Sequence, residues 1–530
     1  MDAKQTIVEG KAVLGVEFGS TRIKAVLIDE DNKPIAQGSH TWENQLVNGL
    51  WSYSTEAIWF GLQDAYSRLR ADVAEKYGVE IENLAAIGIS AMMHGYMAFG
   101  ADGHILTHFR TWRCTNTGQA AAELSKLFNF NIPLRWSISH LYQAILNGES
   151  HVPDIKFLTT LAGYVHWRLT GEKVIGVGDA SGMIPVDPAT KDYNQQMVDK
   201  FDVLIADKGY SWKLRDLLPK SLPAGADAGR LTSDGAHLID ISGHLKPGAV
   251  FCPPEGDAGT GMVATNAVSP RTGNVSAGTS SFSMIVLEKD LSKPYEAIDI
   301  VTTPDGYPVA MVHCNNCTSD VNAWVGLFKD FMLASGQQVD MNKLYATLYN
   351  IALTGDADCG GLVGFNFVSG EPIVDMAEGR PLIVRSAKDK FNLANFMRMQ
   401  LYSLLAVLKI GNDVLFNEER VAVDRITGHG GLFKTPVVGQ RILAAALNSP
   451  ITVMETAGEG GAWGIALLAR YVIDNADALS LPAYLNKAVF RGEQGTTIEP
   501  VAEDVEGFNT FINVYKAALP IEAAAIANKA

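Results

Sequence analysis

Cysteine is scarce in this chain: five residues in 530, at Cys114, Cys252, Cys314, Cys317 and Cys359. An odd, scattered set in a long chain argues against a disulfide-stapled secreted scaffold and reads as reduced. Cys314 and Cys317 form a C-x-x-C, and His313 adjoins it. No second pair at zinc spacing follows, so structural cysteines are expected there rather than a metal or redox centre. Long apolar runs are missing too. No uninterrupted stretch reaches the length of a membrane span. The opening from Met1 to Lys11 carries Asp2, Lys4 and Glu9 and has no apolar core, unlike a secretory signal. The expected location is the cytoplasm. Positive charge is short: 43 Lys and Arg face 58 Asp and Glu, a formal net charge of −15. That argues against nucleic acid or an anionic membrane as partner. Any phosphate binding must therefore come from backbone amides and a few local cations. Low-complexity segments and long linkers are also lacking.

At 530 residues the chain exceeds one ordinary core, so two large domains are expected. A hydrophobic content of 47% with 19% charged residues suits a folded protein. The most informative run is Val13-Leu-Gly-Val-Glu-Phe-Gly-Ser-Thr-Arg-Ile-Lys-Ala-Val-Leu-Ile-Asp29. Two apolar, β-branched strands flank a turn of Gly19, Ser20 and Thr21, which predicts a hairpin. Such a turn can approach a phosphate closely, because glycine blocks nothing and adjacent amides form an anion-binding concavity. Glu17 before the turn is a carboxylate for a metal, and Lys24 after it is a cation for a phosphate. A second stretch, Thr272 to Leu287, repeats the pattern around Gly278-Thr279-Ser280-Ser281. Before it lies Pro253-Pro-Glu-Gly-Asp-Ala-Gly-Thr-Gly261, which sets Asp257 on a short loop at a glycine-rich helix start. Two phosphate loops with one acid between them suit phosphoryl transfer from a nucleoside triphosphate, the acid serving as base. The plain alternatives are a glycine hairpin and an aspartate helix cap.

The pattern predicts a strand from Pro34, an amphipathic helix over Thr55 to Tyr77 and a buried strand over Leu84 to Ser90. His94 follows that strand at the end where α/β proteins bind ligands. A helix is expected over Phe157 to Thr170, ended by Gly171. The domain junction is expected near 262–270. The second half repeats the order, with a strand at Val309 to His313, a long buried helix over Asn392 to Leu415 and a strand over Val421 to Ile426. Asp320, Asn322 and Trp324 follow the second-half strand in the place equivalent to His94 and are substrate candidates. The order of strands and helices gives an α/β architecture.

Taken together, these segments resemble the FGGY carbohydrate kinases of the actin–hexokinase–Hsp70 superfamily, from about Val13 to about Tyr471. The first loop, the Gly256-Asp257-Ala-Gly-Thr-Gly261 loop and Gly278-Thr279-Ser280 look like that family's first phosphate motif, catalytic aspartate loop and second phosphate motif. Ser369-Gly370-Glu371-Pro372 and Gly379-Arg380-Pro381-Leu382 are similar to a further family stretch. His429-Gly430-Gly431-Leu-Phe-Lys434-Thr-Pro436 looks like its adenosine motif, and Gly460-Gly461-Ala-Trp-Gly464 like its closing helix. Met93-His94-Gly95 resembles the turn that lines the sugar pocket of pentulose kinases. Two departures stand out. Glu17 replaces the usual Asp, and Trp112-Arg113-Cys114-Thr115-Asn116 lacks the acid of the family's sugar-side segment.

The resemblance implies two duplicated actin/hexokinase-like, ribonuclease H-like domains around a central cleft, 12–265 and 266–530. It implies ATP and Mg²⁺ as cofactors and a small-molecule ketopentose as partner, with a homodimer common in the family. Asp257 would be the base, and Glu17 with Asp257 would hold the metal. Gly19, Ser20, Thr21, Lys24, Gly278, Thr279, Ser280, Gly430, Gly431 and Lys434 would bind the nucleotide. Met93, His94, Gly95, Trp112, Arg113 and Asn116 would face the sugar. Within the family the chain looks most like the shorter bacterial L-ribulokinases, which implies L-ribulose 5-phosphate formation in arabinose catabolism. D-Xylulose or D-ribulose is the alternative substrate, and a non-catalytic nucleotide-dependent binding protein the alternative class.

Overall fold

The computed structural model describes residues 2–458, 460–474, 478–492 and 495–528. Two compact units are assembled from interleaved segments. The first comprises Met1–Pro270, Ile300–Val309 and Glu459–Gly492, the second Arg271–Asp299, Ala310–Gly458 and Glu493–Ala530.

The first unit is built on the predicted hairpin. Strands β1 (Val13–Phe18) and β2 (Arg22–Ile28) pair antiparallel, with Glu17 opposite Lys24. β3 (Pro34–Thr41) continues the sheet beyond β2. Helix α1 (Thr55–Tyr77) covers it. The Ser54 side chain accepts from Ala57 N at its start, and Gly78 ends it at φ 65°. Ile58, Leu62, Ala65, Tyr66, Leu69 and Val73 recur at helical spacing and are buried. Packing is close enough that a Cβ on Gly38 would stand 2.1 Å from Ala65 O.

On the other side of β1, β4 (Ala86–Ala91) pairs in parallel, placing Glu17 opposite Ser90. Helix α2 (Leu161–Thr170) then opens with Thr160, whose hydroxyl accepts from Gly163 N, and closes at Gly171. The helix therefore does not include Phe157–Thr159. That aromatic and β-branched segment pairs as a strand with Met97–Phe99. Strands β5 (Val250–Phe251) and β6 (Glu255–Gly256) both pair in parallel with β4, so Glu255 lies opposite Ser90. Asp257 begins α3 (Asp257–Ala264). Glu17, Ser90 and Glu255 thus stand in one row at the carboxyl ends of three parallel strands, and Asp257 follows directly. This is where open α/β sheets gather their ligands.

The second unit repeats the device. β7 (Thr272–Ala277) and β8 (Ser281–Val286) form an antiparallel hairpin. Beyond β8 comes β9 (Pro308–Cys314), which leads to helix α4 (Thr318–Ala334). Helix α5 (Leu393–Asp413) is buried almost throughout and ends in a wider turn at Val414–Glu418. β7 pairs in parallel with β10 (Arg425–His429), as β1 does with β4. The strand expected over Val421 to Ile426 is in fact β10: its residues are fixed by pairing with β7, a partner 153 positions away. No helix among the described residues is long and apolar enough to cross a membrane.

Candidate active site

The first loop is held from behind. Trp42 Nε1 donates to Gly19 O (2.7 Å), Tyr53 Oη to Ser20 O (2.6 Å) and Trp42 N to Thr21 O (3.2 Å). Trp42 and Tyr53 stack with ring centroids 4.0 Å apart. Three successive carbonyls of the loop are thus engaged, and Gly19 N donates to Arg22 O (2.9 Å) across the turn. Trp112 Nε1 donates to Ser20 Oγ (3.0 Å). Trp112, expected to face the sugar, thus also braces this loop.

Glu17 is half-buried, and its Oε2 accepts from Ala462 N (3.2 Å) at the start of the closing helix Gly460–Asp474. A Cβ on Gly461 would lie 2.5 Å from Glu17 Oε1, so glycine makes room for the carboxylate. Burial lifts the Glu17 carboxyl to about 7, and the neighbouring charge of Asp257 adds to it. Lys24 and the Ala462 amide pull the other way. Lys24 also lines a cavity of about 450 Å³ with Arg22, Ser39 and Arg68.

Asp257 is the first residue of α3, and Gly256 occupies the cap position. Its Oδ1 accepts from Met93 N (3.2 Å) and Ala258 N (2.9 Å). Burial raises this carboxyl to about 6 against the pull of those amides. A base at that level is matched to proton transfer near neutrality.

The Met93 amide ties Asp257 to the Met93-His94-Gly95 turn. His94 and Gly95 are both left-handed, at φ 68° and 88°. That is costly for a histidine and persists only because the surroundings fix it. His94 Nδ1 donates to Gly182 O (3.1 Å), which sets the tautomer, and the ring lies parallel to Trp136. Ser137 Oγ donates to Gly95 O (2.6 Å). Arg113 lies 4.1 Å over the Trp51 ring, and Asn116 is exposed. Their contacts do not join them to this group.

In the second unit, Thr318 N and Oγ1 both donate to Gly278 O (2.9 and 2.8 Å), and Cys317 N to Thr279 O (2.9 Å). The start of α4 thus holds the second loop as the aromatics hold the first. Ser280 O accepts from Gly278 N (2.9 Å) across the turn. Gly430, at φ 101°, sits against this loop: a Cβ there would be 2.6 Å from Ala277 O. Gly431 and Lys434 follow in a short 3₁₀ turn and are exposed. Asp320, Asn322 and Trp324 lie further along α4. Asn322 accepts from Tyr345 Oη (2.9 Å), and Trp324 packs edge-on to Phe396 at 5.0 Å. Both are engaged in helix packing. Cys314 and Cys317 are free and buried, and burial pushes both thiols up.

The sequence reading does not single out two further acids near Asp257. Glu255 and Asp179 are wholly buried, and burial raises them to about 8 and about 7. The acid in Gly176-Val-Gly178-Asp179 is visible there, but nothing local joins it to a residue 78 positions on.

Glu17 and Asp257 are two hard oxygen donors, and the charge of Asp257 is felt at Glu17. No group of three or more candidate ligands exists among the described residues. Two carboxylates fit Mg²⁺, which keeps several waters and completes its shell with substrate phosphates.

Two hairpins, each with its loop carbonyls hydrogen-bonded, and raised carboxylates beside the first define an α/β protein with a candidate site at its strand ends. The chain belongs to the FGGY family of carbohydrate kinases: residues 12–242 match that family's N-terminal domain and residues 273–473 its C-terminal domain. The xylulose kinase of Escherichia coli is 24% identical over 298 residues, 54% of this chain and 56% of that protein. The glycerol kinase of Thermococcus gammatolerans is 22% identical over 241 residues, 41% of this chain and 48% of that protein. The chain thus spans about half the length of the curated relatives it matches. Among solved structures, the ligand-bound xylulose kinase of Lactobacillus acidophilus superposes with a TM-score of 0.78 at 17% identity, covering 98% of this chain and 99% of that one. The two-domain FGGY kinase fold is therefore the fold of this chain.

Proposed function

We propose that the protein is an ATP-dependent sugar kinase acting on the terminal hydroxyl of a ketopentose, with L-ribulose as substrate and L-ribulose 5-phosphate as product. The observation that carries this reading is Asp257: a carboxylate lifted to about 6, fixed by the Met93 amide beside the His94 turn. In the reaction the sugar hydroxyl oxygen bonds to the γ-phosphorus and the bond to the β,γ-bridging oxygen breaks. ADP leaves with that electron pair, and the hydroxyl proton passes to Asp257. Gly19, Ser20, Thr21 and Lys24 in the first half (12–265), and Gly278, Thr279, Ser280, Gly430, Gly431 and Lys434 in the second (266–530), serve the nucleotide. Met93, His94 and Gly95 serve the sugar. Mg²⁺, held by Glu17 and Asp257, would supply charge neutralisation of the phosphates when bound.

A second reading, D-xylulose as substrate, is supported by the names of the relatives above. The test is ADP release with ATP and Mg²⁺ against L-ribulose, D-ribulose, D-xylulose, L-xylulose and glycerol. The highest kcat/KM for L-ribulose supports the first reading, and for D-xylulose the second. Absence of sugar-stimulated release refutes both and favours a nucleotide-dependent binding protein.

A further inference from the structure

Strand β6 is only two residues long, and Asp257 follows it directly. Its first residue, Glu255, accepts from Gly178 N on Oε1 (3.2 Å) and from Asp179 N on Oε2 (2.9 Å). Those amides open the short helical turn Val177–Ala180. The turn is shaped to this carboxylate. A Cβ on Gly176 would stand 2.2 Å from Oε1, and one on Gly178 2.5 Å from Oε2. Gly176 N also donates to Pro254 O (2.7 Å).

Asp179 meets the same backbone from the turn's side. Its Oδ2 accepts from Thr160 Oγ1 (2.6 Å), while its Oδ1 has no partner among the described residues. A Cβ on Gly256 would lie 3.4 Å from that oxygen and 2.0 Å from Met93 Cγ. Gly256 is thus packed between Asp179 and Met93, the residue whose amide holds Asp257.

Two buried carboxylates are an expensive way to pin a strand end, since apolar packing does so without their desolvation cost. What Glu255 supplies is direction: its two oxygens, accepting from two successive amides, admit one placement of the strand against the turn, which apolar contact does not enforce, and Asp179 packs against Gly256 on the same backbone. We infer that Glu255 and Asp179 are positioning residues that fix the backbone from which Asp257 projects. This rests on the kinase reading. Displacement of a reacting group by 1 Å can cost about a hundredfold in rate.

The test is Glu255→Gln, which turns an amide nitrogen toward one of the two backbone N–H groups. The expected result is at least a tenfold fall in kcat for sugar-dependent ADP release, with KM for ATP within twofold of wild type, measured well below the melting temperature. Gly178→Ala displaces the carboxylate without removing an acid and is expected to lower kcat likewise. The double variant should lose less than the product of the two, because both break one clamp. Wild-type kcat in a folded Glu255→Gln protein overturns the inference. If that variant does not fold, wild-type kcat in Gly178→Ala overturns it instead. A fall in kcat matched by a rise in KM for ATP also overturns it, since general loosening of the unit does that. Lack of sugar-stimulated release in the wild type refutes the kinase reading instead.

Discussion

At the scale of single residues, the candidate site is marked by carboxylates whose surroundings penalise charge. Asp257→Asn keeps the shape and the acceptor for the Met93 amide but cannot take a proton. The expected outcome is a fall in kcat of about 10²–10⁴-fold, with ADP affinity by calorimetry changed less than twofold. Turnover near wild type would remove Asp257 from the mechanism. Glu371, in the second unit, gives a separate readout in stability. Its oxygens accept from Asn315 N (3.3 Å), Asn316 N (3.2 Å) and Asn316 Nδ2 (3.1 Å). Even so, burial raises it from 4.5 to about 7. Between those values the native state holds a proton that the unfolded chain has released, so stability falls as pH rises through the window. The stability of wild type relative to Glu371→Gln should drop by an amount on the order of 3 kcal/mol from pH 4.5 to pH 7.5 in urea titrations. An equal gap at both pH values would show that Glu371 is ionised throughout. The sequence singles out Asp257 and Glu17 as candidates because each stands beside a turn that reads as a phosphate or catalytic loop. Asp179 and Glu255 are not singled out, because only the packed strand end brings them together.

At the scale of elements, local signals did well where the chain itself supplies the boundary. Ser54 and Gly78 bracket α1, and the Gly19 turn sets the first hairpin. They failed where a distant partner decides. Phe157–Thr159 is a strand because Met97–Phe99 pairs with it, and β10 is placed by β7. The closing helix shows what glycine does between elements. A Cβ on Gly15 of β1 would lie 2.0 Å from Ala462 O, and one on Gly464 2.1 Å from Thr260 O. Both obstacles are backbone atoms that no rotamer change can clear. Gly15→Ala is therefore expected to destabilise the first unit by about 1–3 kcal/mol and to weaken Mg²⁺-dependent nucleotide binding, since Glu17 lies on the same strand. Differential scanning calorimetry checks the first effect and calorimetric ADP titration with and without Mg²⁺ the second. An unshifted transition would mean that the helix stands further from β1 than this packing indicates.

At the scale of the molecule, the order of segments along the chain is not the order of assembly. The first unit takes its closing helix, Gly460–Asp474, from a segment that lies in sequence between two stretches of the second. Within that helix Trp463, Ile465, Leu467, Leu468 and Tyr471 are buried. Trp463 Nε1 donates to Asn32 O (2.9 Å), and an Arg470 guanidinium nitrogen donates to Lys11 O (2.9 Å) and Asp29 O (3.1 Å). Five large side chains at about 2 kcal/mol each amount to about 10 kcal/mol, as much as the whole net stability of an ordinary domain. Residues 1–270, although continuous and rich in secondary structure, should therefore not fold alone. The expected state has helical circular dichroism, binds a hydrophobic dye and melts without a cooperative transition. Joining 459–492 to 1–270 through a flexible linker should restore a cooperative melt, because the helix supplies the missing layer over β1 and β4. If 1–270 melts cooperatively and binds no dye, the closing helix adds to a core that is already complete, and its glycines serve only to bring the Ala462 amide to Glu17.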